Sequence, residues 1–233
     1  MASGRPFIVA IDGPAGAGKS TASKLLAQRL GFTLVDTGAI YRSAALVALE
    51  HGIEGAENDR LPALLERMRL EFQPLGDENR VFLDGRDVSE RIRTPEVSMA
   101  ASRVSADPSV RQALLPLQRR LALQAERGSV LEGRDVGTVV FPDADVKFFL
   151  DAAPEIRARR RREELLKKGI ARPLEEVLAE QAKRDLDDST RKVAPLRAAT
   201  DALVLDSSKL SISEVVARME KIIRDRWAEK GGA

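Results

Sequence analysis

Cysteine is missing from all 233 residues. Its absence excludes a disulfide framework and any thiolate-held metal, and it suits a reducing compartment, so a cytoplasmic location is expected. Aromatic residues make up only 4% of the chain, with one Trp and one Tyr. Proteins that grip single-stranded nucleic acid stack successive bases on aromatic rings, and this chain has too few rings for that. With a single histidine, nothing titrates between the carboxylates and the lysines, so a net charge of only +2 carries the isoelectric point to about 9.0. The surface is therefore nearly neutral and carries no basic footprint for nucleic acid. No run approaches the roughly 20 apolar residues of a membrane-spanning helix. The apolar stretch in the opening MASGRPFIVAIDG is too short for a secretory signal. Neither nucleic acid nor a membrane is an expected partner, and a monomer is the expected assembly.

What is present begins with GPAGAGKST: Gly13, Pro14, Ala15, Gly16, Ala17, Gly18, Lys19, Ser20 and Thr21. The spacing fits G-x-x-x-x-G-K-[ST], a loop whose backbone N–H groups wrap phosphate because glycine removes the Cβ that would block the approach. Lys19 serves as a point charge toward the β and γ phosphates of a nucleotide, and the Ser20 hydroxyl can ligate Mg²⁺. The apolar run Phe7 to Ile11 precedes the loop as a strand. Ala22, Leu25, Leu26 and Leu30 follow at helical spacing, and Gly31 supplies a stop. Strand, loop and helix in that order place the phosphates at a helix N-terminus, where free amides and the helix dipole favour anions.

Short apolar runs recur, each closed by an acid: FIVAI before Asp12, FTLV before Asp36, SVL before Glu132, VKFFL before Asp151 and ALVL before Asp206. Continuous rather than alternating apolar runs suit a parallel sheet buried on both faces. Helical stretches separate them, so the expected fold class is α/β: a three-layer α/β/α unit on a five-stranded parallel sheet. A chain of this length is expected to form one such unit with an insertion. Ligands in these folds gather at the carboxyl ends of the strands, where the acids also fall. One segment breaks the rhythm. LEFQPL (70–75), RVFLD (80–84) and RDVSERI (86–92), joined by GDEN and by Asp84-Gly85, read as a small antiparallel meander inserted between the second and third core strands. It is either a decorative flap or a cover for a second substrate, and spacing alone does not choose. Two helices follow, around 94–106 and 107–126, with apolar positions to pack on the sheet.

DTGAIYR (36–42) and EGRDVG (132–137) each set a carboxylate beside an arginine at a strand end. That combination suits a polar ligand whose anionic group needs a planar fork of donors. Local ion pairing, Asp36 with Arg42 or Arg134 with Asp135, is the alternative reading. A dense basic helix, PEIRARRRREELLKKG (154–169), is an ordinary solvated face, an RNA-binding helix, or an arginine-bearing lid of the kind phosphoryl transfer uses to neutralise moving charge.

Together, GPAGAGKST, DTGAIYR, EGRDVGTVVFPDADVKFFLD, KRDLDDSTRKVAPL and DALVLDSS, in this order and spacing, resemble the bacterial cytidylate kinases from about Ile8 to Met219. The resemblance implies a nucleoside monophosphate kinase core spanning 5–60 and 94–227. It also implies a β-rich acceptor-side insertion at 61–93 and a lid within 154–190. The implied reaction is transfer of the γ-phosphoryl group of Mg·ATP to CMP or dCMP. Residue by residue, it implies that Arg42 and Arg134 hold the acceptor phosphate and that Ser102, Arg111, Asp135 and Arg191 contact cytosine. Thr37, Arg184 and Asp188 would lie near the sugar, and Arg160 and Arg161 would come from the lid. Thr37 stands where some members have serine, which leaves a hydroxyl but adds a methyl. UMP, AMP or a shikimate-like alcohol are the alternative acceptors. A regulatory GTPase is disfavoured, because no N-K-x-D element is present to read guanine. Trp227 and His51 carry no assigned chemistry, and Tyr41 is a candidate wall of the acceptor pocket.

Overall fold

A computed structural model of the chain describes residues 5–53, 60–76, 78–167 and 169–231. The start of the opening stretch, 54–59 of the expected core, Asp77 of the GDEN turn and Lys168 of the basic helix lie outside the described residues. In chain order the elements are β1 (Phe7–Asp12), α1 (Lys19–Leu30), β2 (Thr33–Asp36), α2 (Thr37–Glu50), α3 (Arg60–Arg67), β3 (Leu70–Leu75), β4 (Glu78–Leu83) and β5 (Arg86–Asp87). Then come α4 (Pro95–Val104), α5 (Pro108–Leu123), β6 (Gly128–Gly133), β7 (Val146–Asp151), α6 (Pro154–Lys167), α7 (Leu174–Thr190), β8 (Leu203–Asp206) and α8 (Ile212–Glu229).

The expected five strands form one all-parallel sheet in the order β2-β6-β1-β7-β8. The continuous apolar runs have the anticipated cause. Along β1, Phe7, Val9 and Ile11 point into one core with α1 and α8, while Ile8 and Ala10 point into another with α2 and α5. Both faces are covered, so neither can be polar. Gly31 ends α1 in the left-handed region, at φ 65°. Thr94 and Asp107 cap α4 and α5, each followed by proline at the first helical position. Trp227 packs against Phe7 and Phe32 at the amino ends of the strands, far from the ligand edge, and His51 caps the end of α2 through Val47. Among the described residues, no helix is long and apolar enough to cross a membrane.

The insertion is a separate three-stranded antiparallel sheet, β3-β4-β5. Asp84 and Gly85 both have positive φ, as a tight hairpin turn requires. The third strand is shorter than expected, however, stopping at Asp87. Beyond it, Ser89 takes over. Its hydroxyl donates to Asp87 Oδ1 at 2.6 Å and accepts from the Val81 N–H at 2.9 Å, so a side chain replaces the ladder bond. The chain then closes into a 3-10 turn at Arg91–Arg93. Of the five strand-end acids, Asp151 and Asp206 accept from the N–H groups of Ala152 and Ser208, and Asp151 also lies 3.8 Å from Arg157 Nε. Asp12, Asp36 and Glu132 face the site.

Candidate active site

The phosphate loop leaves β1 at Gly13, whose φ of 146° and neighbours admit no side chain. A Cβ there would stand 2.0 Å from the Leu150 carbonyl oxygen. Gly18 opens α1 with φ 94° and no side-chain cap, so the first amides of the helix are left to an anion. Loop carbonyls turn outward to protein donors: Pro14 to Lys19 Nζ (2.7 Å), Ala15 to Arg157 Nη1 (3.1 Å) and Ala17 to Ser207 Oγ (3.2 Å). Lys19 is buried, and burial first, then the charge of Arg134, lowers its pKa. Ser20 Oγ donates to Glu132 Oε2 at 2.7 Å. Burial first, then the nearby Asp36, raises the pKa of Glu132, against the pull of Lys19 and Arg42. Thr21 continues α1 on its exposed side.

Around this loop, arginines from several elements gather. Arg42 Nη2 pairs with Asp36 Oδ2 at 2.9 Å, while its buried Nε has no partner. The expected alternative pairing of Arg134 with Asp135 does not occur; Arg134 Nε instead reaches Asp188 Oδ2 at 2.8 Å on α7. Arg184 joins them. It lies on α7, where enclosure first and then the charge of Arg134 lower its pKa.

Behind these cations, Asp135 is buried between two arginines. Arg111 Nη2 donates to Asp135 Oδ2, and Arg111 is held further by the Ser105 carbonyl (2.9 Å) and by the Tyr41 ring (5.1 Å to its centroid). Arg191 lies 3.6 Å from Asp135 Oδ1, with one buried Nη2 lacking a hydrogen-bond partner. The Thr37 hydroxyl donates to the Glu132 carbonyl at 2.7 Å, so toward a ligand it can only accept. Ser102 sits exposed on α4, and among the described residues no hydrogen bond joins it to Arg111 or Asp135.

The lid arginines diverge. Arg160 donates to the Ser207 carbonyl and hydroxyl at 2.7 and 2.9 Å, flanking the phosphate loop, whereas Arg161 pairs with Glu164 on the solvent face of α6. Sequence reasoning missed Arg157, one arginine among many in its run. It is buried, and it ties the Ala15 carbonyl to Asp185 of α7 at 2.5 Å. Asp12 was also missed as a site residue, although its place just before the loop was a signal. A cavity of about 250 Å³ lies between Ser20, Asp36, Arg42 and Glu132 on the core and Phe72, Asn79 and Val81 on the insertion. Asn79 Nδ2 donates to the Leu34 carbonyl at 3.4 Å, which sets the insertion against β2 beside the acceptor loops.

A family model described as cytidylate kinase matches residues 9–225. The chain is 51% identical to the cytidylate kinase of Geobacter sulfurreducens over 229 residues, covering 98% of this chain and 97% of that protein. It is 49% identical to that of Pasteurella multocida over 212 residues, covering 91% and 92%. A crystal structure of an uncharacterized protein from Eubacterium ventriosum superposes with a TM-score of 0.51 at 14% identity, over 94% of this chain and 98% of that one, which is a likeness of fold alone.

Proposed function

The chain belongs to the cytidylate kinase family, and on that premise we propose that it transfers the γ-phosphoryl group of ATP to CMP or dCMP, giving ADP and CDP or dCDP. The observation that carries the residue assignment is the adjacency of two anion sites. Lys19 at the phosphate loop feels the charges of Arg134 and Arg184 across the same strand ends. An oxygen of the acceptor's phosphate attacks the γ phosphorus as the bond to the ADP oxygen breaks. That oxygen is already anionic, so positioning and charge neutralisation replace a general base.

In this reading the loop from Gly13 to Thr21 holds ATP, and Lys19 follows the transferred group. Arg42 and Arg134 take the acceptor phosphate, with Arg184 beside them. Arg160 is poised at the loop, and Arg161 joins when the lid closes. Thr37, Arg184 and Asp188 sit toward the sugar. Asp135 accepts from the 4-amino group of cytosine, while Arg111, Arg191 and Ser102 supply donors for O2 and N3. Uracil presents the opposite polarity at N3 and C4, so it would set an oxygen against a buried carboxylate. The 61–93 insertion forms the acceptor-side wall, the 5–60 and 94–227 segments form the core, and 154–190 forms the lid.

Magnesium suits the donors present. The Ser20 hydroxyl, Glu132 and Asp36 are hard oxygen groups, and Ser20 Oγ lies 2.7 Å from Glu132 Oε2. Ser20 would be its protein ligand, and when bound it would neutralise phosphate charge. The lack of cysteine supports a cytoplasmic setting, and a monomer is part of the proposal. Rates of ADP formation with CMP, dCMP, UMP, AMP or no acceptor test the reading. CMP and dCMP should be good substrates, UMP and AMP poor, and ATP alone nearly inert. Faster use of UMP or AMP, or hydrolysis without an acceptor, would overturn it.

A further inference from the structure

Asp12 has no part in the chemistry above, yet it is a buried carboxylate one residue before the phosphate loop. Both of its oxygens are engaged. Oδ1 accepts from the Val136 N–H at 2.8 Å and Oδ2 from the Gly137 N–H at 2.7 Å. These amides open the turn that follows β6, where Val140 N–H returns to the Asp135 carbonyl and Phe141 N–H to Val136 in a π-helical pattern over Val136–Val140. Asp12 lies opposite Gly133 in the β1–β6 register, which brings its carboxylate beside the start of this turn.

Asp135 occupies the residue before this turn. An aspartate there ordinarily bends its own carboxylate back onto the second or third amide of the turn. Here it does not. Asp135 makes no side-chain cap, and its carboxylate faces Arg111 and Arg191 instead. Of the two local amides within its reach, those of Gly137 and Thr138, the first is already taken by Asp12.

We propose that Asp12 is a positioning residue for base recognition: by capping the 136–140 turn from a neighbouring strand, it leaves the Asp135 carboxylate for the Arg111–Arg191 pair and the substrate base. The proposal rests on the cytosine-site reading above. It also links the two half-sites, because the residue that precedes the ATP loop sets the orientation of the one that reads the acceptor.

The test compares wild type, Asp12→Asn, Asp12→Ala and Asp135→Ala with CMP and UMP as acceptors. Asparagine is isosteric but keeps one acceptor oxygen, so one amide loses its partner and Asp135 can fold back to it. The ratio of kcat/KM for CMP over UMP should narrow by about tenfold or more in Asp12→Asn, while KM for ATP stays within about threefold. Combining Asp12→Asn with Asp135→Ala should narrow the ratio little beyond Asp135→Ala alone, since both changes remove the same contact. A general loosening of the fold would not show that non-additivity. If KM rises equally for ATP and CMP with the base ratio unchanged, Asp12 serves only the phosphate loop and the proposal fails. Additive losses overturn it equally. Asp12→Ala, which frees both amides, must exceed the asparagine effect in the same direction; where it does not fold, the asparagine series decides alone. Wild type that uses UMP as well as CMP would sink the underlying cytosine reading instead, a separate outcome.

Discussion

Removing the Asp135 carboxylate should cost both stability and base discrimination, and the two losses can be separated. Asp135 and Arg111 are each only 7% exposed, so their pair is shielded from water. Breaking a buried pair by deleting one partner typically costs 3–5 kcal/mol, because it strands the other charge. Arg111 would keep the Ser105 carbonyl and the Tyr41 face, which soften the loss. We therefore expect Asp135→Ala at the lower end, about 3 kcal/mol, or roughly 6–12 °C in Tm for a chain of this size. Replacing both partners, Arg111→Met with Asp135→Leu, should restore part of that stability, since apolar groups of similar volume fill the site while Arg191 loses Asp135 but keeps Asp188 at 3.7 Å. Activity should not return. In Asp135→Ala the CMP/UMP ratio of kcat/KM, about 10⁴ or more for a closed polar site, should shrink mainly through loss of CMP turnover. Denaturant melts and initial rates with both acceptors measure the two effects. A Tm within 2 °C of wild type (a bound of about 1 kcal/mol) with an unchanged base ratio would refute the reasoning, because neither the buried pair nor the cytosine contact would then exist.

Lys19→Ala should abolish turnover while leaving CMP affinity, measured by calorimetry, largely intact; loss of CMP binding alongside turnover would show that the two half-sites are not separable. Arg161→Ala should lower kcat by about 100-fold with little change in ATP affinity or Tm, as suits an exposed residue acting only in the transition state, and an equal loss of ATP affinity would make it a ground-state contact. Arg160→Ala should lower kcat comparably and also lower Tm, since it bridges Ser207 and the phosphate loop. Burial raises the pKa of Asp12 from the usual 3.8 to about 6, against the pull of its two amide donors. Between about pH 4 and pH 6 the folded protein therefore holds a proton that the unfolded chain lacks, and stability falls as pH rises through that window, by about 3 kcal/mol. Asp12→Asn should flatten this part of the stability curve, and an unchanged pH slope in the variant would place the titration elsewhere.

Most of the sheet was legible because its cause is local. A strand buried on both faces is apolar for most of its length, and β1, β6 and β7 are, apart from Ser129, Lys147 and the acids at their carboxyl ends. Turn chemistry was legible for the same reason at Asp84-Gly85 and Gly31. The short third strand of the insertion was not. RDVSERI follows the Asp84-Gly85 turn as a returning strand would, but Ser89 competes with the ladder through its hydroxyl, and that competition is decided by Val81, on a neighbouring strand.

The site divides along the same line. The phosphate loop carries its chemistry in consecutive residues, so spacing alone exposes it, whereas the residues proposed for the acceptor are scattered over α2, α4, α5, α7 and the turn after β6, and there only resemblance could gather them. Arg157 shows the limit. Its neighbours Arg159 and Arg161 have the same composition around them, yet Arg157 alone is buried, because it is the one whose helical position faces the loop carbonyl of Ala15 and the carboxylate of Asp185. A run of arginines thus contains a structural tie, a residue at the phosphate loop and a solvent-facing one. Which is which follows from where each side chain points around α6, inward for Arg157 and outward for Arg161. The cations nearest the loop are likewise placed by separate elements and each is balanced by its own acid: Arg42 by Asp36, Arg134 by Asp188, and Lys19 by Glu132 and Asp12.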